Sequence, residues 1–212
     1  MYIFLTILMS YILGSIPTAL IIGKVFFKKD IREYGSGNLG GSNTGRVLGK
    51  KIGLLVMILD ILKAVLAITL TKIIISHTNP NLVNLSVYLS SAFALLGHCY
   101  TCFANFKGGK AVASAFGVLF ITNIYVFLIC LALYGIILKI TKLVSLTSII
   151  IFFISALLTL IPFFRHSPIL NIEFDLFYTL TLFLMACFVV YRHRSNIKRL
   201  IEGTERKITW MK

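Results

Sequence analysis

Carboxylates are what this chain has least of: seven Asp and Glu stand against 21 Lys and Arg in 212 residues, a formal net charge of +14. Phosphotransfer on paired metal ions needs clustered carboxylates, and only Asp30, Glu33, Glu202 and Glu205 fall on the basic, water-facing side derived below. No metal ligand and no cofactor is therefore assigned. Cysteine is also sparse. Cys99 and Cys102 have zinc-like spacing, but no second pair accompanies Cys130 and Cys187, so all four read as small packing residues. Charged residues of any kind make up only 13% of the chain while 58% is hydrophobic, which excludes ordinary soluble composition and leaves the membrane class. No basic segment is interleaved with a stacking platform, so nucleic acid is not an expected partner. Neither repeats nor a separable soluble domain can be found, and residues 1–212 read as one membrane-embedded domain whose oligomeric state the sequence does not specify.

Long apolar runs are what the chain has instead, at about residues 2–27, 52–75, 82–106, 111–140, 143–163 and 174–191, several of them above the roughly 20 residues that cross a bilayer. No basic residue precedes the first run and Lys24, Lys28, Lys29 and Arg32 follow it, so it reads as a retained span and not as a cleaved signal. The fourth run is either one long helix or two short ones broken near Thr122-Asn123. Charge asymmetry separates these. Six spans divide the Lys and Arg residues 10 to 9, whereas seven spans put 18 on one side and only Arg165 on the other, with Lys63 and Lys72 inside a span. The expectation is an all-α integral membrane protein of seven transmembrane helices, N-terminus outside and C-terminus cytoplasmic. The halves of the fourth run should each measure about 22 to 25 Å. The basic face also suits anionic membrane lipids.

Three polar segments share the cytoplasmic side. The first, Tyr34 to Gly49, holds six of the chain's 15 glycines together with Ser36, Asn38, Ser42, Asn43, Thr44 and Arg46. It contains G-x-G-x-x-G, but no βαβ unit surrounds it, which rejects a dinucleotide fingerprint, and no Gly-Lys-Ser/Thr follows at the right spacing for a Walker-type phosphate-binding loop. It reads as a nest of backbone amides beside a guanidinium that can grip phosphate. The second segment, Lys107-Gly108-Gly109-Lys110, enters the fourth run, where helix N-terminal amides favour an anion. The third, Arg192-His193-Arg194-Ser195-Asn196, leaves the last run and continues into a short amphipathic stretch through Ile197, Leu200 and Ile201.

Around these lie Asp60 and Lys63, expected to pair inside the bundle, and Ser145, a helix cap or a substrate contact. His98 is expected to be a core residue. The residues five after His77, His98, His166 and His193 are Leu82, Phe103, Asn171 and Lys198, so the His-x4-Asp pair of thioester-dependent acyltransferases is absent. A transporter or channel for an anionic solute is the rival reading, but beyond Asp60 and Lys63 the outer half offers little polar chemistry.

The ordered set resembles the three signature motifs of the bacterial acyl-phosphate glycerol-3-phosphate acyltransferases, the PlsY family: Gly35-Ser36-Gly37-Asn38 with Gly40, Asn43 and Arg46; Lys107-Gly108-Gly109-Lys110; and Arg192-His193-Arg194 with Asn196-Ile197 and Gly203-Thr204-Glu205. Asp60 with Lys63, Gly97-His98 and Val144-Ser145-Leu146 also match the flanking pattern. Ser42 and Ser114 stand where threonine is usual, and Thr101 where proline is common. The resemblance implies transfer of a fatty acyl group from acyl phosphate to the sn-1 hydroxyl of glycerol 3-phosphate, at the cytoplasmic edge of a bacterial plasma membrane. It implies that Ser36, Arg46 and Lys107 bind phosphate, and that Ser145, His193 and Asn196 position glycerol 3-phosphate. Asn38, Ser42, Asn43, Gly108, Gly109, Lys110 and Arg192 complete the expected binding set, with His193, Ser36 and Lys107 nearest the chemistry. The hydroxyl proton goes either to His193, a weak base between two arginines, or to the phosphate of glycerol 3-phosphate.

Overall fold

A computed structural model describes residues 1–208 of the chain, and Lys212, one of the basic residues counted above, lies outside them. The chain divides into two compact units, Met1–Ile121 and Thr122–Lys212. Among the described residues both are helical apart from one small hairpin.

The first unit opens with α1 (Tyr2–Ser15) and α2 (Thr18–Phe27), which the sequence presented as one run. Proline fixes its own φ and disfavours helix in the residue before it, so the run breaks at Ile16-Pro17. The break leaves carbonyls without helical partners, and side chains from elsewhere fill them. Thr101 Oγ1 donates to the Ser15 carbonyl, and Lys63 Nζ donates to that of Ile16 at 2.8 Å. Next come α3 (Gly41–Leu48), α4 (Lys50–Thr78), α5 (Val83–Cys99) and α6 (Val112–Thr122). α1 packs against α4 and α5. Its approach to α5 is backbone-close: a Cβ at Gly14 would collide with the Ala94 carbonyl, and one at Gly97 with that of Tyr11. Small residues and cross-helix hydroxyls are the usual adhesive where lipid offers no hydrophobic drive. Ser10 Oγ accordingly lies 2.7 Å from Ser90 Oγ, and Thr71 Oγ1 donates to Ser90 at 3.1 Å.

The second unit begins with α7 (Ile124–Thr141) and α8 (Val144–Leu158). A hairpin of β1 (His166–Ser167) and β2 (Ile172–Glu173) follows, then α9 (Leu176–Arg192) and α10 (Arg194–Ile201). Asn123 separates α6 from α7: its Oδ1 accepts from Val126 N at 2.8 Å as an N-cap, and its amide donates to the carbonyls of Phe164 and His166. The two halves are unequal, contrary to expectation. With 11 and 18 residues they rise about 16 and 27 Å, because the break at Asn123 lies nearer the start of the run than its end and α7 continues to Thr141.

Four helical stretches among the described residues are long and apolar enough to cross a membrane: Tyr2–Phe27, Lys50–Thr78, Pro80–Ala104 and Ile124–Thr141. A fifth forms if α9 and α10, bent by 63° at His193, count as one, while Val112–Thr122 and Val144–Leu158 are apolar but shorter.

Candidate functional site

The glycine segment is half loop and half helix. Residues 41–48 form α3, although Gly41-Ser42-Asn43-Thr44-Gly45 contains no good helix former. Packing overrides propensity here. A Cβ at Gly53 of α4 would sit 2.6 Å from Gly45 Cα, and one at Gly41 would strike the Met57 side chain, so bare backbone lets the two helices touch. The nest is thereby confined to residues 35–40. It is anchored below by Ile31 and Leu39 in an apolar cluster with Ala19, Ile22, Val56 and Ala104.

Asn43, expected in the binding set, organises the loop from inside. It is 2% exposed; Oδ1 accepts from Ser36 N at 2.8 Å, and its amide donates to the carbonyls of Tyr34 and Ile31 at 3.1 and 3.3 Å. Gly35, at φ +63°, has no side chain because Asn43 Oδ1 occupies the place of its Cβ. Asp30 fixes the approach to the loop, accepting from Arg32 N and its guanidinium and pairing with Lys24 at 3.2 Å. The Arg32 guanidinium holds this carboxyl well below its usual range against the opposing effect of burial. Ser36, Ser42 and Arg46 are exposed and Asn38 half-buried. Ser42 and Arg46, four apart in α3, share its exposed face.

The Lys107 turn also differs from expectation. Its glycine amides are committed to protein: Gly108 N donates to the Cys99 carbonyl and Gly109 N to the His98 carbonyl, each at 3.0 Å, closing the C-terminus of α5. What the turn presents outward are the side chains of exposed Lys107 and half-buried Lys110. Thr101 caps the short 3-10 helix at residues 102–104, its hydroxyl accepting from Phe103 N. Beneath the turn, Lys63 Nζ and Asp60 Oδ1 pair at 2.8 Å, both buried, and Thr18 Oγ1 donates to the same oxygen at 2.7 Å.

In the second unit, His193 sits at the joint of α9 and α10, 3% exposed. Its Nδ1 lies 2.8 Å from the Val189 carbonyl, so the neutral ring carries its proton there and its lone pair on Nε2. Flanking Arg192 is half-buried and Arg194 is exposed. Gly203, at φ +68°, ends α10, and the chain turns back so that Glu205 reaches Ser145 and Asn196. Ser145 Oγ donates to Glu205 Oε1 at 2.8 Å, Asn196 Nδ2 to the same oxygen at 2.6 Å, and Arg199 Nε to Oε2 at 2.7 Å. Ser145 is thus not the cap of α8; Leu143 holds that position. Burial raises the Glu205 pKa, but the donors Asn196, Ser145 and Arg199 outweigh it and hold the carboxylate below its ordinary value. Glu205 is the organiser that reasoning from the sequence missed. It stood in the third motif, but local spacing gives no sign of a partner 60 residues away.

The structure therefore arranges the expected residues in two sets: Ser36, Asn38, Ser42, Asn43, Arg46 and Lys107 to Lys110 in the first unit, and Ser145, Arg192, His193 and Asn196 in the second. The sequence pattern of the family described as glycerol-3-phosphate acyltransferase matches residues 4–203. A glycerol-3-phosphate acyltransferase of Macrococcus caseolyticus is 43% identical over 214 aligned residues, covering 100% of both chains. One of Bacillus subtilis is 42% identical with the same coverage. Among solved structures, the crystal structure of PlsY, an integral membrane glycerol 3-phosphate acyltransferase, in its glycerol 3-phosphate form is 31% identical with a TM-score of 0.83, over 98% of this chain and 96% of that one. Its lysophosphatidic acid form gives 30% and 0.81, over 98% and 95%. Motif order, a helical membrane architecture and full-length likeness agree, and the chain belongs to the PlsY family of integral membrane glycerol-3-phosphate acyltransferases.

Proposed function

We propose that this protein transfers a fatty acyl group from acyl phosphate to the sn-1 hydroxyl of glycerol 3-phosphate, giving lysophosphatidic acid and inorganic phosphate for phospholipid synthesis. The observation that carries the reading is the full-length likeness to a PlsY structure in its glycerol 3-phosphate form. In this reading the chain crosses a bacterial plasma membrane seven times, with its N-terminus outside and its three motifs on the cytoplasmic side, where Lys and Arg concentrate.

In this reading Ser36, Arg46 and Lys107 bind phosphate, with Asn38, Ser42 and Lys110 in the same binding set. Arginine suits a phosphoryl group because its planar fork bonds two oxygens at once. Ser145, His193 and Asn196 position glycerol 3-phosphate. Acyl phosphate is a mixed anhydride with a good leaving group, so positioning and charge stabilisation suffice and no covalent enzyme intermediate is required. The sn-1 oxygen attacks the acyl carbon and the bond from that carbon to the phosphate oxygen breaks. Phosphate leaves with the bonding pair, and the hydroxyl proton passes to the phosphate of glycerol 3-phosphate. His193 orients the hydroxyl through Nε2, because its Nδ1 proton is directed to the Val189 carbonyl.

The test is purified protein in lipid, given labelled glycerol 3-phosphate with either palmitoyl phosphate or palmitoyl-CoA. Lysophosphatidic acid is expected from the acyl phosphate. Product from the thioester alone would remove the donor assignment.

A further inference from the structure

We infer that His98 and Asp60 are positioning residues for the Lys107–Lys110 turn, an inference that rests on the phosphate-binding reading of that turn. The turn is held from below. Its glycine amides bond the last carbonyls of α5, including that of His98, and a Cβ at Gly109 would collide with His98 Nε2, so the imidazole is the surface on which Gly109 rests. The ring is 5% exposed, and its Nδ1 stands 3.6 Å from Asp60 Oδ1.

Asp60 is itself fixed from three sides. Thr18 Oγ1 and Lys63 Nζ meet the same Oδ1 at 2.7 and 2.8 Å, and Ser114 Oγ of α6 donates to the Asp60 carbonyl at 3.2 Å. α6 lies so close to α4 that a Cβ at Gly117 would meet the Ile61 carbonyl at 2.5 Å. Both ends of the turn are thus referred to one buried residue, the α5 end through the Asp60 carboxylate and the α6 end through its main-chain carbonyl. Burying charge in a membrane bundle is costly and contributes little net stability, whereas it specifies geometry well. Lys107 and Lys110 flank the glycine pair directly, so movement of the ring moves the origin of both ammonium-bearing stems.

The test is equilibrium binding to purified protein in detergent, with thermal unfolding as the check of fold. Dissociation constants are measured for glycerol 3-phosphate and for inorganic phosphate, which stands for the head of the donor. Lys107→Ala is expected to raise one of these about tenfold or more, which identifies what the turn holds. If it raises neither, the phosphate reading fails whatever His98 does. With that reading in place, His98→Ala should raise the same constant about tenfold and leave the other within roughly threefold. Gly109→Ala should also weaken that ligand, yet add less than roughly threefold in the His98→Ala background, because the ring it would strike has gone. Equal weakening of both ligands, no weakening, or full additivity with Gly109→Ala overturns the inference. Should His98→Ala not be recovered folded, Thr18→Val decides: it removes one donor from Asp60 without touching the turn, and an unchanged constant for the turn's ligand overturns the inference.

Discussion

At the scale of single residues, the site separates into side chains that face outward and side chains that hold those in place. Arg46 is of the first kind. Arg46→Lys keeps the charge but loses the bidentate fork, and acyl transfer should fall about tenfold or more with the thermal unfolding temperature unchanged; wild-type turnover would remove Arg46 from the site. Asn43 is of the second kind. Asn43→Ala leaves the Ser36 amide and two carbonyls without their partner, at a cost of about 1–3 kcal/mol, so both the melting temperature and activity should drop, and a drop in activity alone would mean that Asn43 meets substrate. Glu205 adds a pH signature. Its folded pKa is lowered, so its stabilising effect is complete above the unfolded value of about 4.3 and fades as pH falls through the folded one. Melting curves of the wild type and Glu205→Gln should therefore differ at neutral pH and converge only as pH falls through the lowered folded pKa, on the acid side of the ordinary carboxylate range. Ser36, Arg46, Lys107 and His193 are proposed for the site from charge and motif order, both of which the sequence displays. The roles of Asn43 and Glu205 were not legible there, since each depends on partners that only the folded backbone brings near.

At the scale of elements, the decisive contact is α3 on α4. Gly53→Ala would drive a methyl into Gly45, and overpacking of this kind costs about 1–3 kcal/mol. The measurement is a melting curve beside an activity assay, with loss of both expected; full stability would show that α3 has room to move. The sequence disguised α3 because Gly, Ser, Asn and Thr are loop formers by propensity, and the glycines that argue against a helix are those that let this one form. By contrast, Asn123 announced the break between α6 and α7, as a polar residue amid an uncharged apolar run. Pro17 carried an equally local signal, which the unbroken apolar character of residues 2–27 concealed.

At the scale of the whole molecule, composition alone specified a helical membrane protein, because a chain with so few charges cannot coat itself for water. Orientation is the property left to charge asymmetry, and cysteine labelling of a cysteine-free background in intact cells tests it. Asn79→Cys should react with an impermeant maleimide from outside, and Lys207→Cys only after permeabilisation. Labelling of both or neither in intact cells would contradict the proposed orientation. The break at Ile16-Pro17 bears on how such a chain is made. Two of its carbonyls are answered by Lys63 and Thr101, residues synthesised roughly 50 and 85 positions later. The Ile16 carbonyl has a local donor in Thr18 N at 3.0 Å, but the side-chain donors to it and to Ser15 exist only once α4 and the residues beyond α5 have been made, so the first span reaches its final hydrogen bonding only after they have joined it.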